Sequence, residues 1–212
     1  MSREHGAREA RKQKTRRALL DAALRRLAGE RSFASLSLRE VARGAGLVPT
    51  AFYRHFRSLD ELGLALVDES FRTLRQLMRA ARSGPLPTKQ LIRRSVETFV
   101  EHVRAHREHF QFVVVERAGG SPVLRNAIRV EIRLFVSELA TDLGRFPALV
   151  RWRSEDLQMM AGLIVNLMVT AVLDVLDGNA SAPEDERELV RTLEKQLRLV
   201  VLGASLWRSR EP

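Results

Sequence analysis

Hydrophobic residues recur every three or four positions along most of this 212-residue chain. Such spacing places them on one face of a helix, whereas a half-buried strand would alternate apolar and polar residues. Residues that favour helix starts precede several of these segments, and they are Ser58, Thr88, Ser121, Ser154 and Pro183. The pattern predicts an all-α fold. Only the three valines at 113–115 have a strand-like composition, and they stand alone.

Residues 37–56 predict two short helices joined by a tight turn. Ser37 can cap the first helix, and Glu40, three positions later, completes a capping box. Gly44 and Gly46 bracket the turn, where a positive φ angle or a close helix approach favours glycine. This is the layout of a helix-turn-helix, whose second helix enters the major groove of DNA. An ordinary helical hairpin would have the same local pattern, so neighbouring features must decide.

The second of these helices separates core residues from surface residues. Pro49 suits its first turn, because the missing N–H would be unpaired there anyway. Phe52 and Phe56 are four positions apart and can face the core together. We predict that the side chains pointing away from this core meet DNA. They are Thr50, Ala51, Tyr53 and Arg54.

The distribution of charge favours DNA binding over the plain hairpin. The chain has 36 Lys and Arg against 26 Asp and Glu, a net charge of +10. Residues 1–60 contain 14 basic and 6 acidic residues, so +8 lies there and +2 in the remaining 152 residues. A basic first quarter on a near-neutral remainder is typical of a DNA-binding domain attached to a body with another role. We therefore predict a DNA-binding domain over residues 1–60 and a second domain over residues 61–212.

The first ten residues are polar and lack apolar periodicity, which predicts a flexible basic N-terminal arm. Arg11, Lys14 and Arg16 continue the positive charge into the first helix. Arms of this kind can reach a minor groove, and cations at a helix start can meet phosphates. A disordered tail that adds only general electrostatic attraction is an equal alternative. No apolar stretch follows these cations, as a signal peptide would require, so we expect a cytoplasmic protein.

Residues 157–173 are the most apolar segment of the chain. A membrane span needs about 20 mostly apolar residues, whereas these 17 include Gln158, Asn166 and Thr170. We expect no span, but a helix with one face in the body and the other against a second subunit. The last helix carries a row of apolar residues at packing distance, Leu189, Leu193, Leu197, Val200 and Ala204. Two such helices from each of two chains predict a four-helix homodimer interface.

Residues 14–62 resemble the N-terminal domain of the TetR family of bacterial transcriptional regulators, and the most family-specific part reads FYRHF. The likeness continues to Ser70, since the stretches ERSFASLSLREVAR and PTAFYRHFRSLDELGLALVDES are similar to the repressors of unsaturated fatty acid synthesis, the FabR and DesT type. The resemblance implies about nine helices, a three-helix DNA-binding domain, and a helical ligand-binding and dimerisation domain. It also implies a homodimer that represses fatty acid genes by binding a palindromic DNA operator.

The resemblance also assigns roles to single residues. It implies that Ser37, Tyr53 and His55 contact phosphates, although a histidine packed between helices is the alternative for His55. Val48 stands where many members have serine, so base reading would depend on thymine methyl groups, one hydroxyl and DNA shape. Leu59 replaces a frequent lysine. The full predicted DNA-binding set is Arg11, Lys14, Arg16, Ser37, Arg39, Val48, Pro49, Thr50, Ala51, Tyr53, Arg54, His55 and Arg57.

Resemblance to the fatty-acid repressors implies a long-chain acyl-CoA effector, with saturated and unsaturated chains distinguished. The candidate ligand-binding residues are Phe71, Leu74, Met78, Phe99, Val103, Phe110, Phe112, Val113, Phe135, Leu163, Asn166, Leu167 and Thr170. Filling a core would explain most of them without any ligand. The phosphates of coenzyme A would need basic residues nearby, and the candidates are Arg82, Arg93, Arg94, Arg104 and Arg107. No cofactor is expected.

Enzymatic readings have little support. The chain has no cysteine, no glycine-rich phosphate loop and no G-x-S-x-G motif. His102, His106 and His109 could suggest a metal site, but we expect solvated or capping histidines. An acyl-binding enzyme such as a thioesterase would not need the basic first domain. A TetR-type repressor of a drug-efflux operon would share that domain, the dimer and an apolar pocket, so it remains the alternative function.

Overall fold

The computed structural model describes residues 2–28, 31–82, 88–178, 183–207 and 209. Within these ranges the regular elements are nine α-helices and one 3-10 helix, which confirms the predicted all-α fold. The 3-10 helix, Phe33–Ser35, joins the first two helices and is called the connecting turn. The α-helices are α1 (Ser2–Leu27), α2 (Leu38–Gly44), α3 (Pro49–Phe52), α4 (Leu59–Arg82), α5 (Thr88–Ala105), α6 (Arg107–Gly119), α7 (Pro122–Leu143), α8 (Ser154–Asp177) and α9 (Pro183–Leu206).

Helix α1 begins at Ser2, so the segment expected to be a flexible arm is helical from that residue on. Residues 7–14 consist of Ala, Arg, Glu, Lys and Gln, which are all strong helix formers. The Gln13 side chain also donates a hydrogen bond to Glu9 one turn earlier, at 3.1 Å. Intrinsic propensity therefore extends the helix where apolar periodicity is missing. The valines at 113–115 lie inside α6 and form no strand.

The chain divides into two compact units. The N-terminal unit contains Met1–Ser70 and Glu108–Arg129, and the body unit contains Phe71–Arg107 and Val130–Pro212. Helices α4 and α7 each contribute residues to both units. Compactness therefore groups α6 with the helix-turn-helix. The predicted functional division after residue 60 concerns which residues bind DNA, and it stays a prediction.

The body unit is built around α5, α8 and α9, each of which packs against the other two. Leu193 and Leu197 of α9 were expected to face a second subunit, but both are buried within the protomer. The exposed apolar residues of α9 are instead Leu199, Leu202 and Leu206. The predicted face is therefore wrong, because packing on α5 and α8 uses the apolar row that the spacing identified.

Helix α8 has one face in the body unit and one face open to solvent in the protomer. Ala161, Val165 and Val172 are buried. The exposed face carries Met159, Leu163, Asn166, Thr170 and Leu173. By length and composition α8 is apolar enough to cross a membrane. The core helix of a soluble protein meets the same two criteria. Helix α8 therefore packs on its own protomer with one face and leaves a largely apolar face exposed.

Two of the three histidines expected to be solvated or capping are buried. His102 and His109 are buried, while His106 is exposed. The Nδ1 atom of His109 lies 2.9 Å from the Ser70 hydroxyl, which donates to the Leu66 carbonyl at 2.8 Å. The solvation prediction is therefore wrong for both. Among the described residues, no group of three or more His, Cys, Asp or Glu side chains could hold a metal ion.

His102 should make the stability of the protein depend on pH. Burial, and secondarily the charge of His106 at a ring distance of 4.4 Å, lowers the pKa of His102 to about 4. The unfolded chain, with an ordinary histidine pKa, then binds the proton more readily than the folded chain. We expect the free energy of unfolding to fall by roughly 3 kcal/mol per protomer between pH 6.5 and 4.

Urea unfolding at several pH values checks this expectation. The His102→Gln variant should lose most of the histidine-dependent decrease. The matched variant His106→Gln should keep most of it, because burial is the larger cause of the shift. An unchanged pH dependence in His102→Gln would contradict the assignment.

Candidate nucleic-acid interface

The start of α2 has the capping box that the sequence predicts. The Ser37 hydroxyl oxygen accepts from the Glu40 backbone N–H at 3.2 Å, and the Glu40 carboxylate accepts from the Ser37 backbone N–H at 3.2 Å and its hydroxyl at 2.9 Å. The Ser37 side-chain bond is the main reason why the pKa of Glu40 is lowered. Both donors of Ser37 thus already point at a carboxylate. A DNA phosphate at this helix end would have to compete with Glu40.

The turn between α2 and α3 depends on its glycines. Gly46 has a φ of +72°, in the left-handed region that favours glycine. A Cβ atom at Gly44 would lie 3.3 Å from the Cβ of Ala22, so α1 and α2 approach closely there. Pro49 occupies the first turn of α3, as predicted. The helix ends at Phe52 rather than near Phe56, and the chain continues in hydrogen-bonded turns.

Helix α3 anchors two aromatic rings and exposes the rest of its surface. Phe52 and Phe56 are fully buried, with ring centroids 5.6 Å apart. Val48 is 64% exposed and Tyr53, the only tyrosine, is 61% exposed. Ala51 is half-buried, whereas the remaining predicted contact residues on this segment, Pro49, Thr50 and Arg54, are exposed. The outward surface therefore offers apolar groups, two hydroxyls and one guanidinium.

Arg16 connects α1 to the turn after α3. Its guanidinium donates to the His55 carbonyl at 3.1 Å and lies 4.2 Å from the centroid of the Phe56 ring. A cation over an aromatic face is stabilised by the ring quadrupole. Arg16 thus holds the turn after α3 in place through His55 and Phe56, and it also adds positive charge there.

His55 lies in a positive environment. Burial lowers its pKa, and the charges of Lys12, Arg16 and Arg54 lower it further. Its Nδ1 atom is buried without a hydrogen-bond partner among the described residues. A phosphate contact by His55 would therefore have to use Nε2. Lys12 was not among the predicted residues, although its position one turn before Arg16 on α1 places the two side by side.

The other predicted basic residues are solvent-facing. Arg11, Lys14 and Arg39 are exposed, and no ion pair is found for them in the described part of the chain. Arg57 has a side chain 95% exposed, with Nε 4.0 Å from a Glu61 carboxylate oxygen. Charges that are not neutralised internally can release counterions from DNA, which is the main source of affinity for its backbone.

The predicted ligand-binding residues fall into three places. Phe71, Leu74, Met78, Phe99 and Val103 are buried in the body unit, and the Phe71 ring lies 6.1 Å from that of Phe135 on α7. Three others belong to the N-terminal unit, and they are Phe110, Phe112 and Val113. Of the α8 candidates, Leu167 is half-buried and the others are exposed, namely Leu163, Asn166 and Thr170.

A cleft of about 700 Å³ lies between the last turns of α4 and the end of α7. Its lining residues are Arg79, Arg82, Glu138, Thr141, Asp142, Arg145 and Phe146. Three guanidiniums and two carboxylates give the cleft a net charge of +1. Arg82 and Arg145 share Asp142, at 2.9 and 3.2 Å.

Three other arginines proposed for a coenzyme A headgroup have internal partners. Arg93 pairs with Glu97 at 2.8 Å, Arg104 pairs with Glu186, and Arg107 donates to the Leu176 carbonyl. Arg94 is exposed and does not line the cleft. The structure thus places Arg82 alone of the five in this cleft. Arg79 and Arg145, beside it, were missed, although Arg79 is one helical turn from Arg82.

Two family models match the chain. "Bacterial regulatory proteins, tetR family" matches residues 19–66, and "Tetracyclin repressor-like, C-terminal domain" matches residues 87–199.

Solved structures of similar fold include the fatty acid degradation regulator FadR from Bacillus halodurans, with 15% identity and a TM-score of 0.70, covering 86% of this chain and 93% of that one. A TetR-family regulator from Streptomyces coelicolor has 21% identity and a TM-score of 0.68, covering 91% and 97%. One from Rhodococcus sp. has 21% identity and a TM-score of 0.67, covering 89% and 98%.

Thr50 and Tyr53 should affect DNA binding differently. Thr50 supplies the hydroxyl at the exposed start of α3, so Thr50→Ala should reduce discrimination between operators by about 1 kcal/mol. Tyr53→Phe should weaken binding to all duplexes to a similar extent, because a phosphate contact carries no sequence information.

Fluorescence anisotropy checks this with a duplex enriched by the wild-type protein from a random library and with its single-base variants. The reverse outcome, with Tyr53→Phe changing sequence preference and Thr50→Ala lowering affinity uniformly, would contradict the assignment.

Proposed function

The chain belongs to the TetR family of bacterial regulatory proteins, and we propose that it represses genes for unsaturated fatty acid synthesis in response to long-chain acyl-CoA. TetR regulators bind DNA and act as dimers, so the chain is a DNA-binding transcriptional regulator. We also propose that the operator is palindromic and that the protein is cytoplasmic.

The observation that carries the effector proposal is the change of character along α4. Phe71, Leu74 and Met78 are buried apolar residues, and the next turns carry Arg79 and Arg82 into the cleft. An acyl-CoA has its groups in the same order, an apolar chain followed by a headgroup rich in phosphate. The similarity in fold to a fatty acid degradation regulator supports the same class of ligand.

Anion binding in the cleft would compete with internal ion pairs. Arg79 pairs with Glu138 and Arg82 with Asp142, and both pairs connect α4 to α7. A phosphate that takes over either guanidinium would release the carboxylate of α7. Because α4 contributes residues to both compact units, a change in its packing would also change the packing of the DNA-binding domain.

The regulatory mechanism is a shift between two populations. An effector changes DNA affinity only if it binds two conformations of the dimer with different free energies. We propose that unsaturated acyl chains favour the conformation whose two DNA-binding domains match the operator, and that saturated chains disfavour it.

We expect the dimer to form through the exposed apolar faces of α8 and α9. Leu202→Arg should give a monomer, because a buried unpaired charge is strongly destabilising at an interface. Val150→Arg is the matched control, since the two side chains are 63% and 64% exposed. Sedimentation equilibrium at micromolar concentration distinguishes the two states. A dimeric Leu202→Arg would contradict this interface.

Oleoyl-CoA and palmitoyl-CoA should change operator affinity in opposite directions. A gel-shift titration of the full-length protein on its selected operator measures the effect. Identical operator affinity with both thioesters would contradict the proposal. A repressor of an efflux operon would instead respond to a drug and to neither thioester.

The cleft can be tested within the same experiment. Arg82→Ala should weaken binding of oleoyl-CoA by about tenfold or more, since it removes a charge-assisted contact, and should leave binding of free oleate unchanged. Arg93→Ala, outside the cleft, is the control. Equal losses of oleoyl-CoA affinity in both variants would contradict binding of the headgroup in this cleft. An equal loss of oleate affinity in Arg82→Ala would contradict it as well.

A further inference from the structure

Glu116 of α6 is a fully buried carboxylate that contacts the chain 83 residues earlier. One of its oxygens accepts from the Phe33 backbone N–H at 2.7 Å and from the Ser32 hydroxyl at 3.2 Å. The other oxygen is buried without a hydrogen-bond partner among the described residues. Burying a charged group is costly unless it is well paired, so these two donors matter to the N-terminal unit.

The surroundings of Glu116 leave little room for other arrangements. A Cβ atom at Gly120 would lie 2.0 Å from the unpaired carboxylate oxygen, so any larger residue there would collide with it. Phe33 is buried, with its ring centroid 6.0 Å from that of Phe112 on the same helix α6. The Phe33 ring also closely approaches Gly63 of α4, where a Cβ atom would lie 2.9 Å from its tip. Backbone and ring of Phe33 are therefore both held.

The segment that Glu116 holds leads directly into the helix-turn-helix. Ser32 caps the connecting turn by accepting from the Ala34 N–H at 3.3 Å, and the Leu36 N–H donates to the Phe33 carbonyl at 3.1 Å. Ser37 follows at once as the cap of α2. With a single residue between the turn and the cap, fixing Phe33 also fixes where α2 begins.

We propose that Glu116 is a positioning residue through which α6 sets the orientation of the helix-turn-helix and therefore the half-site spacing that the dimer accepts. A dimer reads two half-sites at a fixed separation, so a small rotation of each domain changes the preferred separation. The proposal rests on the DNA-binding dimer of the proposed function and does not depend on the effector.

The test measures operator affinity against half-site spacing. Full-length protein is titrated by fluorescence anisotropy onto its selected operator, onto duplexes with one or two base pairs added or removed between half-sites, and onto a single half-site. Wild-type protein should prefer one spacing. Glu116→Ala should lose about tenfold or more at that spacing, as expected for a buried hydrogen bond to a charged group, and should bind all spacings almost equally. Its affinity for the single half-site should be unchanged.

Two further variants separate positioning from stability. Glu116→Gln keeps an acceptor oxygen for Phe33 and should recover most of the spacing preference. Val100→Ala, at a fully buried position of α5 in the body unit, should lower the melting temperature without changing that preference. If Glu116→Ala does not fold, Ser32→Ala replaces it, because it removes one of the two donors and should give a partial loss.

The outcomes decide between the two roles. A wild-type spacing preference in folded Glu116→Ala, or in Ser32→Ala if the former is unfolded, would overturn the proposal. So would a Val100→Ala protein that loses the preference in the same way. Absence of DNA binding by the wild-type protein would instead contradict the proposed function.

Discussion

The N-terminal unit depends on the burial of one carboxylate. Glu116 needs donors because water does not reach it, and the chain supplies them from the connecting turn between α1 and α2. This contact joins α6 to the helix-turn-helix, and the Phe33 ring extends it to α4. A DNA-binding domain of only three helices has a small core of its own. Packing on α6 and α7 enlarges that core and joins α6 to the connecting turn that leads into α2.

The two compact units differ in how their positively charged side chains are paired. In the body unit, arginines of α4 pair with carboxylates of α7, namely Arg75 with Glu131, Arg79 with Glu138 and Arg82 with Asp142. In the N-terminal unit, Lys12 and Arg54 near His55 are exposed, and the pKa of His55 is lowered first by burial and then by these charges and that of Arg16. Exposed positive charge thus remains around α3, whereas these three arginines of α4 are paired.

The parts of the structure that follow from local chemistry could be predicted from the sequence. The cap at Ser37, the turn at Gly46 and the proline start of α3 each involve residues a few positions apart. The contact of Glu116 with Phe33 could not be predicted, because nothing local indicates that a glutamate in an apolar helix needs a backbone donor 83 residues away. The prediction of which α9 residues face outward was wrong for a similar reason. Spacing identifies a row of apolar residues but not the helix or subunit against which that row packs. The candidate base and phosphate contacts stay predictions, and most of the residues proposed for them are exposed.

Amide hydrogen exchange at Phe33 measures whether α6 holds the connecting turn, because it observes the hydrogen bond to Glu116 in the intact protein. If the connecting turn is held by α6, the Phe33 amide should exchange only through global unfolding, as slowly as amides in the buried middle of α1. NMR of the full-length protein measures both rates. Exchange at the rate of an open surface turn would show that the contact does not hold the helix-turn-helix in place.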